Sequence, residues 1–388
     1  MKRSLLVVAG EISGDLHAAA VVRRVQSVLP ELRVWGIGGE GLARTGVALR
    51  HHTRDMAVMG FMEVVRRYGF FRKVFLDLVE EVRRDPPDAA LLVDYPGFNL
   101  RLAAELKALG IRVVYYVCPQ VWAWRPSRIA QMAERVDRLL VIFPFEKKLF
   151  AKTPLNTDFV GHPLVEETQA VRDAPAMELP WSGSLRVALL PGSRKQEISR
   201  ILPALATAAL QLRKKRPETG FLLAAPSEDI ATEQRRILQS LRVPEGLIPV
   251  VADHTRQILK QARAAWIASG TATIEACLMR CPMVVVYRTS PLTYWVARRL
   301  VRVPHIGMVN LVAGREICPE RIQGEARPER LIEALTPLLD ETPQRARMLE
   351  DLEQAARRLG EGGAAEHAAT ALVEELLSVP VDPEPAGI

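Results

Sequence analysis

The sequence predicts an α/β protein made of two Rossmann-like domains, each a doubly wound parallel sheet. Short apolar runs alternate with amphipathic stretches along nearly the whole chain, a pattern typical of parallel sheets covered by helices on both faces. One proline-containing stretch of mixed charge interrupts the alternation near the middle. The 388 residues, of which 48% are hydrophobic, are enough for two or three domains of ordinary size.

Apolar runs of strand length define the predicted sheets. They cover residues 5–9, 34–37, 89–93, 113–117 and 139–143 in the first half, and residues 187–190, 221–224, 248–251, 264–268 and 283–287 in the second. Amphipathic, helix-like stretches lie between them. Two such domains are predicted to face each other across a cleft, with ligands bound beyond the carboxyl ends of the strands.

The interruption sets the predicted domain boundaries. We expect an N-terminal domain over residues 1–165, a linker over residues 166–182 and a C-terminal domain over residues 183–360. Residues 361–388 are predicted to form a helix and tail that return to the first domain or to a partner chain.

Charge and cysteine content limit the partners. The net charge of +7 and the pI of about 9.4 favour an anionic partner, which composition leaves open between nucleic acid, a phosphorylated metabolite and a lipid surface. The four cysteines complete no zinc pattern, so we expect reduced structural thiols and no metal site. We also expect neither a signal peptide nor a membrane-spanning segment, and hence a cytoplasmic protein or one lying on a membrane surface.

Carboxylates follow two of the predicted strands in the first half. The segment LLVVAGEISGD places Glu11 and Asp15 in the turn after the first strand, and LLVDYPGFN places Asp94 after the third apolar run. Each carboxylate is predicted either to face the ligand site or to cap a turn or helix. A helix cap at Ser13 and a helix-dipole interaction at Asp15 would still leave Glu11 unexplained.

The segment GIGGEG, residues 36–41, fits the dinucleotide fingerprint G-x-G-x-x-G, and Asp55 lies within range of the acidic partner that the fingerprint requires. The fingerprint belongs after the first strand, however, and this segment follows the second. A glycine-rich turn near a ligand is therefore favoured over a nicotinamide site.

Two turns of the second half suit a nucleotide diphosphate. In LRVALLPGSRKQEI, Ser193 is predicted to cap a helix whose first N–H groups bind an anion, and Arg194 adds a forked cation suited to phosphate. No P-loop lysine pattern is present, which argues against ATP hydrolysis. No D-x-D pair is present either, so Arg194 and helix N-termini are expected to stabilise a diphosphate leaving group without metal.

The segment AWIASGTATIEA repeats this logic. Ser269, Gly270 and Thr271 are predicted to present hydroxyl and N–H groups between a strand and a helix. Glu275, one turn into that helix, is predicted either to accept hydrogen bonds from a ribose diol or to complement the helix dipole.

Two stretches combine large apolar with basic side chains, a composition that suits an anionic membrane surface and equally suits a core-facing helix with a solvated basic face. The second stretch covers residues 294–302. The first contributes Phe61, Met62, Arg66, Arg67, Tyr68, Phe70, Phe71, Arg72 and Lys73 as candidate membrane residues.

The order of motifs resembles that of the lipid-A-disaccharide synthase family, whose members are glycosyltransferases of the glycosyltransferase-B fold. The matching segments are AGEISGD, GIGG, MGFMEV, DYPGFN, CPQVWAWR, PFE, GHP, LLPGSRKQEI, SGTATIEA and NLVAGREICPE, and they extend over residues 9–320. The resemblance implies inverting transfer of diacylglucosamine from UDP-2,3-diacylglucosamine to the 6-hydroxyl of 2,3-diacylglucosamine-1-phosphate. The products would be a β-1′,6-linked tetraacyl disaccharide phosphate and UDP.

The resemblance also implies site roles. Asp94 is the leading candidate for the base, with Glu11 next; the substrate contacts are expected from Ser13, Gly14, Asp15, Gln120, Trp122 and Asn310. The implied partners are the two lipid substrates, an anionic membrane surface on the inner face of the inner membrane and a possible second copy of the chain, with no nucleic acid and no cofactor. The rivals are a 2-epimerase or a peptidoglycan N-acetylglucosaminyltransferase of the same fold, a nicotinamide dehydrogenase and a non-enzymatic membrane-binding protein.

Overall fold

The computed structural model describes residues 3–56, 68–124, 127–300 and 303–379. The candidate membrane residues Phe61, Met62, Arg66 and Arg67 lie outside these ranges, as does Arg302. Two compact units make up the chain. The first comprises Met1–Pro163 and Gly362–Ile388, and the second comprises Leu164–Glu361.

The first unit is built on a parallel sheet with strand order β3-β2-β1-β4-β5-β6-β7. Its strands are β1 (Ser4–Ala9), β2 (Arg33–Gly38), β3 (Ala48–His52), β4 (Ala89–Val93), β5 (Arg112–Tyr116), β6 (Arg138–Val141) and β7 (Asn156–Phe159). The central strands β1 and β4 are buried at every position, as expected for apolar strands with helices on both faces. The strand order reverses between β1 and β4, and this reversal is the usual ligand position in doubly wound sheets.

Helices connect the strands of the first unit. They are α1 (Ile12–Val28), α2 (Glu40–Ala43), α3 (Thr53–Met56), α4 (Tyr68–Arg84), α5 (Pro96–Ala108), α6 (Val121–Trp124), α7 (Ser127–Arg135) and α8 (Pro144–Phe150), joined by α18 (Ala364–Ser378) from the C-terminal part of the chain. Helix α5 begins at a proline in its first turn, a position that proline favours because it has no N–H group to donate.

The C-terminal helix α18, which we expected on the first domain or on a partner chain, packs on the first unit. Glu366 forms an ion pair with Arg24 of α1 at 2.9 Å, and Arg138 of β6 donates to Glu374 at 2.7 Å. The chain therefore leaves the first unit after Pro163 and returns to it at Gly362.

The second unit is built on a parallel sheet with strand order β10-β9-β8-β11-β12-β13. Its strands are β8 (Leu185–Leu190), β9 (Thr219–Ala225), β10 (Val250–Ala252), β11 (Ala264–Ala268), β12 (Met283–Tyr287) and β13 (Glu320–Ile322). Its helices are α9 (Leu164–Asp173), α10 (Lys195–Lys215), α11 (Glu228–Ser240), α12 (Thr255–Gln261), α13 (Ala272–Leu278), α14 (Pro291–Leu300), α15 (Met308–Ala313), α16 (Pro328–Leu339) and α17 (Pro343–Arg358), with a 3₁₀ turn at Gln323–Glu325.

The segment predicted as a linker, residues 166–182, begins inside helix α9 and is fixed to the second unit. Lys260 of α12 donates to the carbonyl oxygens of Val171 and Arg172 at 3.1 and 3.0 Å, and the indole of Trp181 donates to Gln261 at 3.1 Å. The sequence pattern did not indicate helix α9, because only a narrow face of it, with Leu164 and Thr168, is buried and the rest carries mixed charge.

The four cysteines are buried and free. Burial raises the pKa of Cys277 and of Cys281 to about 12, so these thiols are neutral at physiological pH.

Candidate active site

Glu11 and Asp94 lie at neighbouring strand ends where the first sheet reverses its order. Ala9 pairs with Val93 at the last step of the β1–β4 register, so the two loops start side by side. Glu11 is the N-cap residue of α1 and is exposed. Parallel sheets bind ligands beyond this edge, and both carboxylates are therefore well placed to meet one.

The backbone of Asp94 is fixed in an unusual conformation. Asp94 and Tyr95 have φ angles of 46° and 48°, in the left-handed region that residues with side chains rarely adopt. The N–H of Asp94 donates to the Tyr116 carbonyl at 3.0 Å, while its own carbonyl accepts the hydroxyl of Tyr115 and the amide of Asn99. These bonds hold the strand-end turn against its intrinsic conformational cost.

Asn99 ties this turn to the neighbouring strand. Its Nδ2 group is buried and donates to the carbonyl oxygens of Asp94 at 2.8 Å, of Val93 at 3.2 Å and, across the sheet, of Val8 at 3.4 Å. Nothing in the local sequence reveals the three carbonyl groups that Asn99 meets.

Gly10 is required by the same arrangement. A Cβ atom at Gly10 would lie 2.4 Å from the ring of Tyr95, so only glycine lets this ring pack over the end of β1.

Burial and a neighbouring charge raise the pKa of the Asp94 carboxyl group. Burial raises the pKa of its carboxyl, the nearby negative charge of Glu11 raises it further, and a hydrogen bond from the Tyr95 backbone opposes both, which brings the pKa to about 6. A carboxylate with this pKa is mostly ionised at pH 7 and is a stronger base than an ordinary aspartate.

Asp15, predicted to contact substrate, is buried, and both of its carboxylate oxygens accept backbone hydrogen bonds. It is only 3% exposed; Oδ1 accepts the N–H groups of Gly39 and Leu42 at 2.6 and 3.1 Å, and Oδ2 accepts that of Gly41 at 2.7 Å. The segment GIGGEG is therefore a turn wrapped around a buried carboxylate. Cβ atoms at Gly39 and Gly41 would lie within 3 Å of Asp15, which explains the glycines without a dinucleotide.

Ser13 and Gly14 belong to the first turns of α1. Ser13 is exposed and does not cap the helix, since Glu11 occupies the N-cap position. Gly14 is buried, and a Cβ atom there would lie 3.6 Å from a methyl group of Val93, so the helix lies close to the sheet at this point.

Gln120 and Trp122 follow β5, the next strand after β4. Gln120 is exposed, and Trp122 is half-buried with its indole N–H donating to Oε1 of Glu146 at 3.4 Å. Glu146 was missed by sequence reasoning, although PFE, with a proline opening a helix and an acid two residues later, is a recognisable capping signal.

His162 follows β7 and belongs to the segment GHP, one of the motifs of the family resemblance. It is 4% exposed, its ring centre lies 5.0 Å from that of Phe143, and burial with a smaller effect of His17 lowers its pKa to about 3. The ring is therefore neutral at pH 7 and belongs to the interior of the first unit.

In the second unit, Ser193 and Arg194 lie between β8 and α10. Arg194, not Ser193, is the N-cap residue, and both are exposed. The Arg194 side chain is 80% exposed and lies 3.5 Å from Glu197, while Gly192, at φ 116°, turns the chain into the helix. An exposed cation thus stands at the N-terminus of a 21-residue helix.

Ser269, Gly270 and Thr271 form the turn between β11 and α13. The hydroxyl of Ser269 donates to the carbonyl of Ile306 at 2.6 Å, so this group is already used inside the unit. Gly270 has φ 151° with open space where a Cβ would lie, and Thr271 is the exposed N-cap residue.

Glu275, predicted to meet a ribose or the helix dipole, forms an ion pair. Arg256 donates to it at 2.8 Å and to Glu167 at 2.6 Å. Arg256 was not found from the sequence because nothing in its segment indicates a distant partner.

Asn310, predicted to contact substrate, is fully buried and completely occupied. Its amide donates to the Cys318 carbonyl and to Glu320 at 2.8 Å each, and its Oδ1 accepts the N–H groups of Ile317 and Cys318. These bonds join the start of the segment NLVAGREICPE to its end, so Asn310 holds the loop before β13 in place.

The first basic aromatic stretch is described from Tyr68 onward. Phe70 and Phe71 are partly buried and pack against the hydrophobic core of the first unit. Tyr68, Arg72 and Lys73 are exposed. In the second stretch, Trp295 is 57% exposed beneath the Arg299 guanidinium, 3.4 Å from the ring centre.

Membrane-crossing helices and metal clusters are both absent from the described part of the chain. Across residues 3–56, 68–124, 127–300 and 303–379, no helix combines the length and apolar character that a membrane crossing needs. Within the same ranges, no group of three or more His, Cys, Asp or Glu side chains is arranged to hold a metal ion.

Solved structures define the class of protein. A UDP-GlcNAc 2-epimerase from Neisseria meningitidis bound to UDP-GlcNAc is similar over 96% of this chain and 100% of that one, with a TM-score of 0.63 and 13% identity. A UDP-GlcNAc 2-epimerase from Methanocaldococcus jannaschii gives a TM-score of 0.57 at 12% identity, over 96% and 100% of the two chains. These similarities establish the glycosyltransferase-B fold, and at this identity they establish the fold alone.

Sequence comparison establishes the family. A family model described as lipid-A-disaccharide synthetase matches residues 5–374. Lipid-A-disaccharide synthases from Myxococcus xanthus and Geobacter sulfurreducens are 41% and 37% identical over 376 and 380 residues, each covering 96% of this chain and 97% of the relative. The chain belongs to the lipid-A-disaccharide synthase family. It is a glycosyltransferase of lipid A synthesis that uses a UDP-sugar donor and a lipid acceptor.

Replacement of Asp15 by alanine tests its structural role. The change leaves three N–H groups without their acceptor, so we expect the free energy of unfolding in urea to fall by about 2–4 kcal/mol. Asp229→Ala is the matched control, because its side chain is 72% exposed and its loss should cost about 0.5 kcal/mol. Equal losses in the two variants would contradict a structural role for Asp15.

Proposed function

We propose that Asp94 is the general base that takes the proton from the acceptor hydroxyl. A sugar hydroxyl is a weak nucleophile at neutral pH, and it needs a base as its oxygen bonds to the anomeric carbon. The observation that carries this proposal is a half-buried carboxylate on a fixed turn where the sheet order reverses, with its pKa raised to about 6. Glu11 shares this edge and accepts hydrogen bonds from sugar hydroxyls, with Ser13 beside it.

The substrates proposed are those that the family resemblance implies. The donor is UDP-2,3-diacylglucosamine, the acceptor is 2,3-diacylglucosamine-1-phosphate, and the first unit holds the acceptor. Attack of the acceptor 6-hydroxyl on the anomeric carbon forms the β-1′,6 bond and breaks the bond to UDP, with inversion. Asp94 receives the hydroxyl proton, and the diphosphate leaves with the bonding electron pair.

The second unit is proposed to hold the UDP group. Arg194 is exposed beside the N-terminus of α10, where a forked cation and the helix dipole both favour a diphosphate. Ser193, Gly270 and Thr271 line neighbouring strand ends and supply hydroxyl and N–H groups. The Neisseria meningitidis epimerase, a protein of this fold, was solved bound to UDP-GlcNAc, which supports a UDP-sugar site.

The Asp94→Asn variant tests the base. It keeps the shape of the side chain but cannot accept the proton, so turnover should fall by about 10²–10⁴-fold. UDP affinity, measured by calorimetry, should be unchanged, because Asp94 and Arg194 lie in different units. Turnover is measured by product formation with EDTA present, since the mechanism uses no metal. Normal turnover of the variant would exclude Asp94 as the base, and wild-type activity that returns only with magnesium would exclude a metal-free reaction.

The Arg194→Ala variant tests the diphosphate site. Loss of a charge-assisted contact, worth roughly 1.5–3 kcal/mol, should weaken UDP binding by about 10–150-fold and slow turnover as well. Arg200→Ala, a change further along the same helix, should bind UDP like the wild type, since helix N-terminal effects fade beyond the first turn. If the two variants bound UDP equally, Arg194 would not be a ligand of the diphosphate.

Membrane association is proposed to use the exposed aromatic and basic residues of α4 and α14, because their combination suits an anionic lipid surface. Trp295→Ser and Tyr68→Ser together should reduce sedimentation with anionic phosphatidylglycerol vesicles and leave UDP affinity unchanged. Leu241→Ser, a substitution of another exposed apolar residue, is the control. Unchanged vesicle binding in the double variant would contradict membrane association through these residues.

A further inference from the structure

Four rings cross the carboxyl ends of three neighbouring strands in the first unit, and we call them the aromatic ledge. They are Trp122 after β5, Phe143 and Phe145 after β6 and His162 after β7, and these strands pair in the order β5-β6-β7. The ring centres of Trp122 and Phe145 are 5.5 Å apart in an edge-to-face arrangement. Phe143 stacks on Phe145 at 5.5 Å and meets His162 at 5.0 Å.

One end of the ledge is open and the other is closed. Phe143 and His162 are 8% and 4% exposed and belong to the interior. Trp122 and Phe145 are only half-buried, so each keeps an aromatic surface at the edge where ligands of parallel sheets bind. The strand beside β5 is β4, whose end carries Asp94.

A carboxyl group is buried beneath the open end. Glu146 is 1% exposed; its Oε1 accepts the indole N–H of Trp122 at 3.4 Å and its Oε2 accepts the N–H of Phe143 at 3.2 Å. One side chain therefore links the half-buried indole to the backbone of the closed end, and it limits the rotation of Trp122.

The carboxyl group of Glu146 is held in its neutral form. Burial raises the pKa of Glu146, and the negative charge of Asp94 raises it further. The hydrogen bonds from Phe143, Trp122 and Ile142 lower it, and the resulting pKa is about 8. Cys118 follows β5. Burial raises the pKa of its thiol well above the usual value, and the charge of Glu146, when present, raises it further. At pH 7 neither Glu146 nor Cys118 therefore places a charge beneath the ledge.

We propose that Trp122 and Phe145 form the surface on which the sugar ring of the acceptor stacks, and that Glu146 is a positioning residue that holds Trp122 in place. The proposal rests on the proposed function, since it places the acceptor sugar beside Asp94. Sugar rings present C–H faces that pack on aromatic rings, as apolar and aromatic groups do in small-molecule sites. A neutral acid beneath the surface also spares the anionic acceptor the repulsion of a second carboxylate.

The Phe145→Leu variant tests the stacking surface. Loss of an aromatic face should raise the KM for diacylglucosamine-1-phosphate by roughly 3–10-fold, with little change in kcat and none in UDP affinity. Phe75→Leu is the matched control, because Phe75 is also partly buried and makes an edge-to-face contact, with Phe98 at 5.5 Å. Equal KM values for the two variants would overturn the stacking role.

Two replacements of Glu146 test its positioning role. Glu146→Ala should raise the KM for the acceptor about tenfold, and Glu146→Gln, a permanently neutral side chain of similar shape, should recover part of that loss at pH 7. In the wild type the KM should rise as the pH passes about 8, because ionisation of Glu146 then places a charge beneath the ledge. Glu146→Gln should lack this rise.

The same alkaline rise in Glu146→Gln would overturn the role of Glu146, since a residue that only supports the fold gives no such difference. Circular dichroism of each variant shows whether it is folded. If Glu146→Ala does not fold, the Phe145→Leu variant still tests the stacking surface. A wild-type protein that makes no product from the two lipid substrates would overturn the proposed function itself, whereas product formation with unaltered KM values overturns the ledge alone.

Discussion

The three hydrogen bonds that Asn99 donates fix the geometry on which the candidate site depends. They join the carbonyl groups of Val8, Val93 and Asp94, and so they bind together the two strand ends where the first sheet reverses its order. They help to hold two consecutive left-handed residues, Asp94 and Tyr95, in place. Together with the Tyr116 carbonyl and the Tyr115 hydroxyl, this amide fixes the backbone that carries the Asp94 carboxyl.

A half-buried carboxyl group, Asp94, and a buried one, Glu146, acquire different protonation states from their surroundings. Asp94 has a pKa of about 6 and is mostly ionised at neutral pH, whereas Glu146 has a pKa of about 8 and is mostly neutral. The charge of Asp94 contributes to the raised pKa of Glu146, so ionisation of the first disfavours ionisation of the second. This difference suits a division in which one carboxyl accepts a proton and the other supports an uncharged surface.

Local sequence patterns were enough for the fold and for the positions of the strand-end residues. The apolar runs predicted ten of the thirteen described strands because burial on both faces leaves a continuous signal, and Asp94 stood out because it directly follows such a run. The edge strands β3, β7 and β13 are only partly buried and left no such run. The same patterns did not reveal that Asp15 and Asn310 are buried, since their hydrogen-bond partners come from turns that no local pattern identifies. The segment PFE marks a helix start at Glu146, but the contact of Glu146 with Trp122, which lies 24 residues away, cannot be read from it.

The pH dependence of kcat/KM for the acceptor, in the wild type and in Glu11→Gln, tests most directly whether Asp94 is the base. The base must be ionised, so the wild-type rate should fall about tenfold per pH unit below about pH 6. Glu11→Gln removes one of the two effects that raise the pKa of Asp94, and its acid limb should therefore move to lower pH. An acid limb at the same pH in both proteins, with the activity otherwise retained, would contradict the assignment of the base to Asp94.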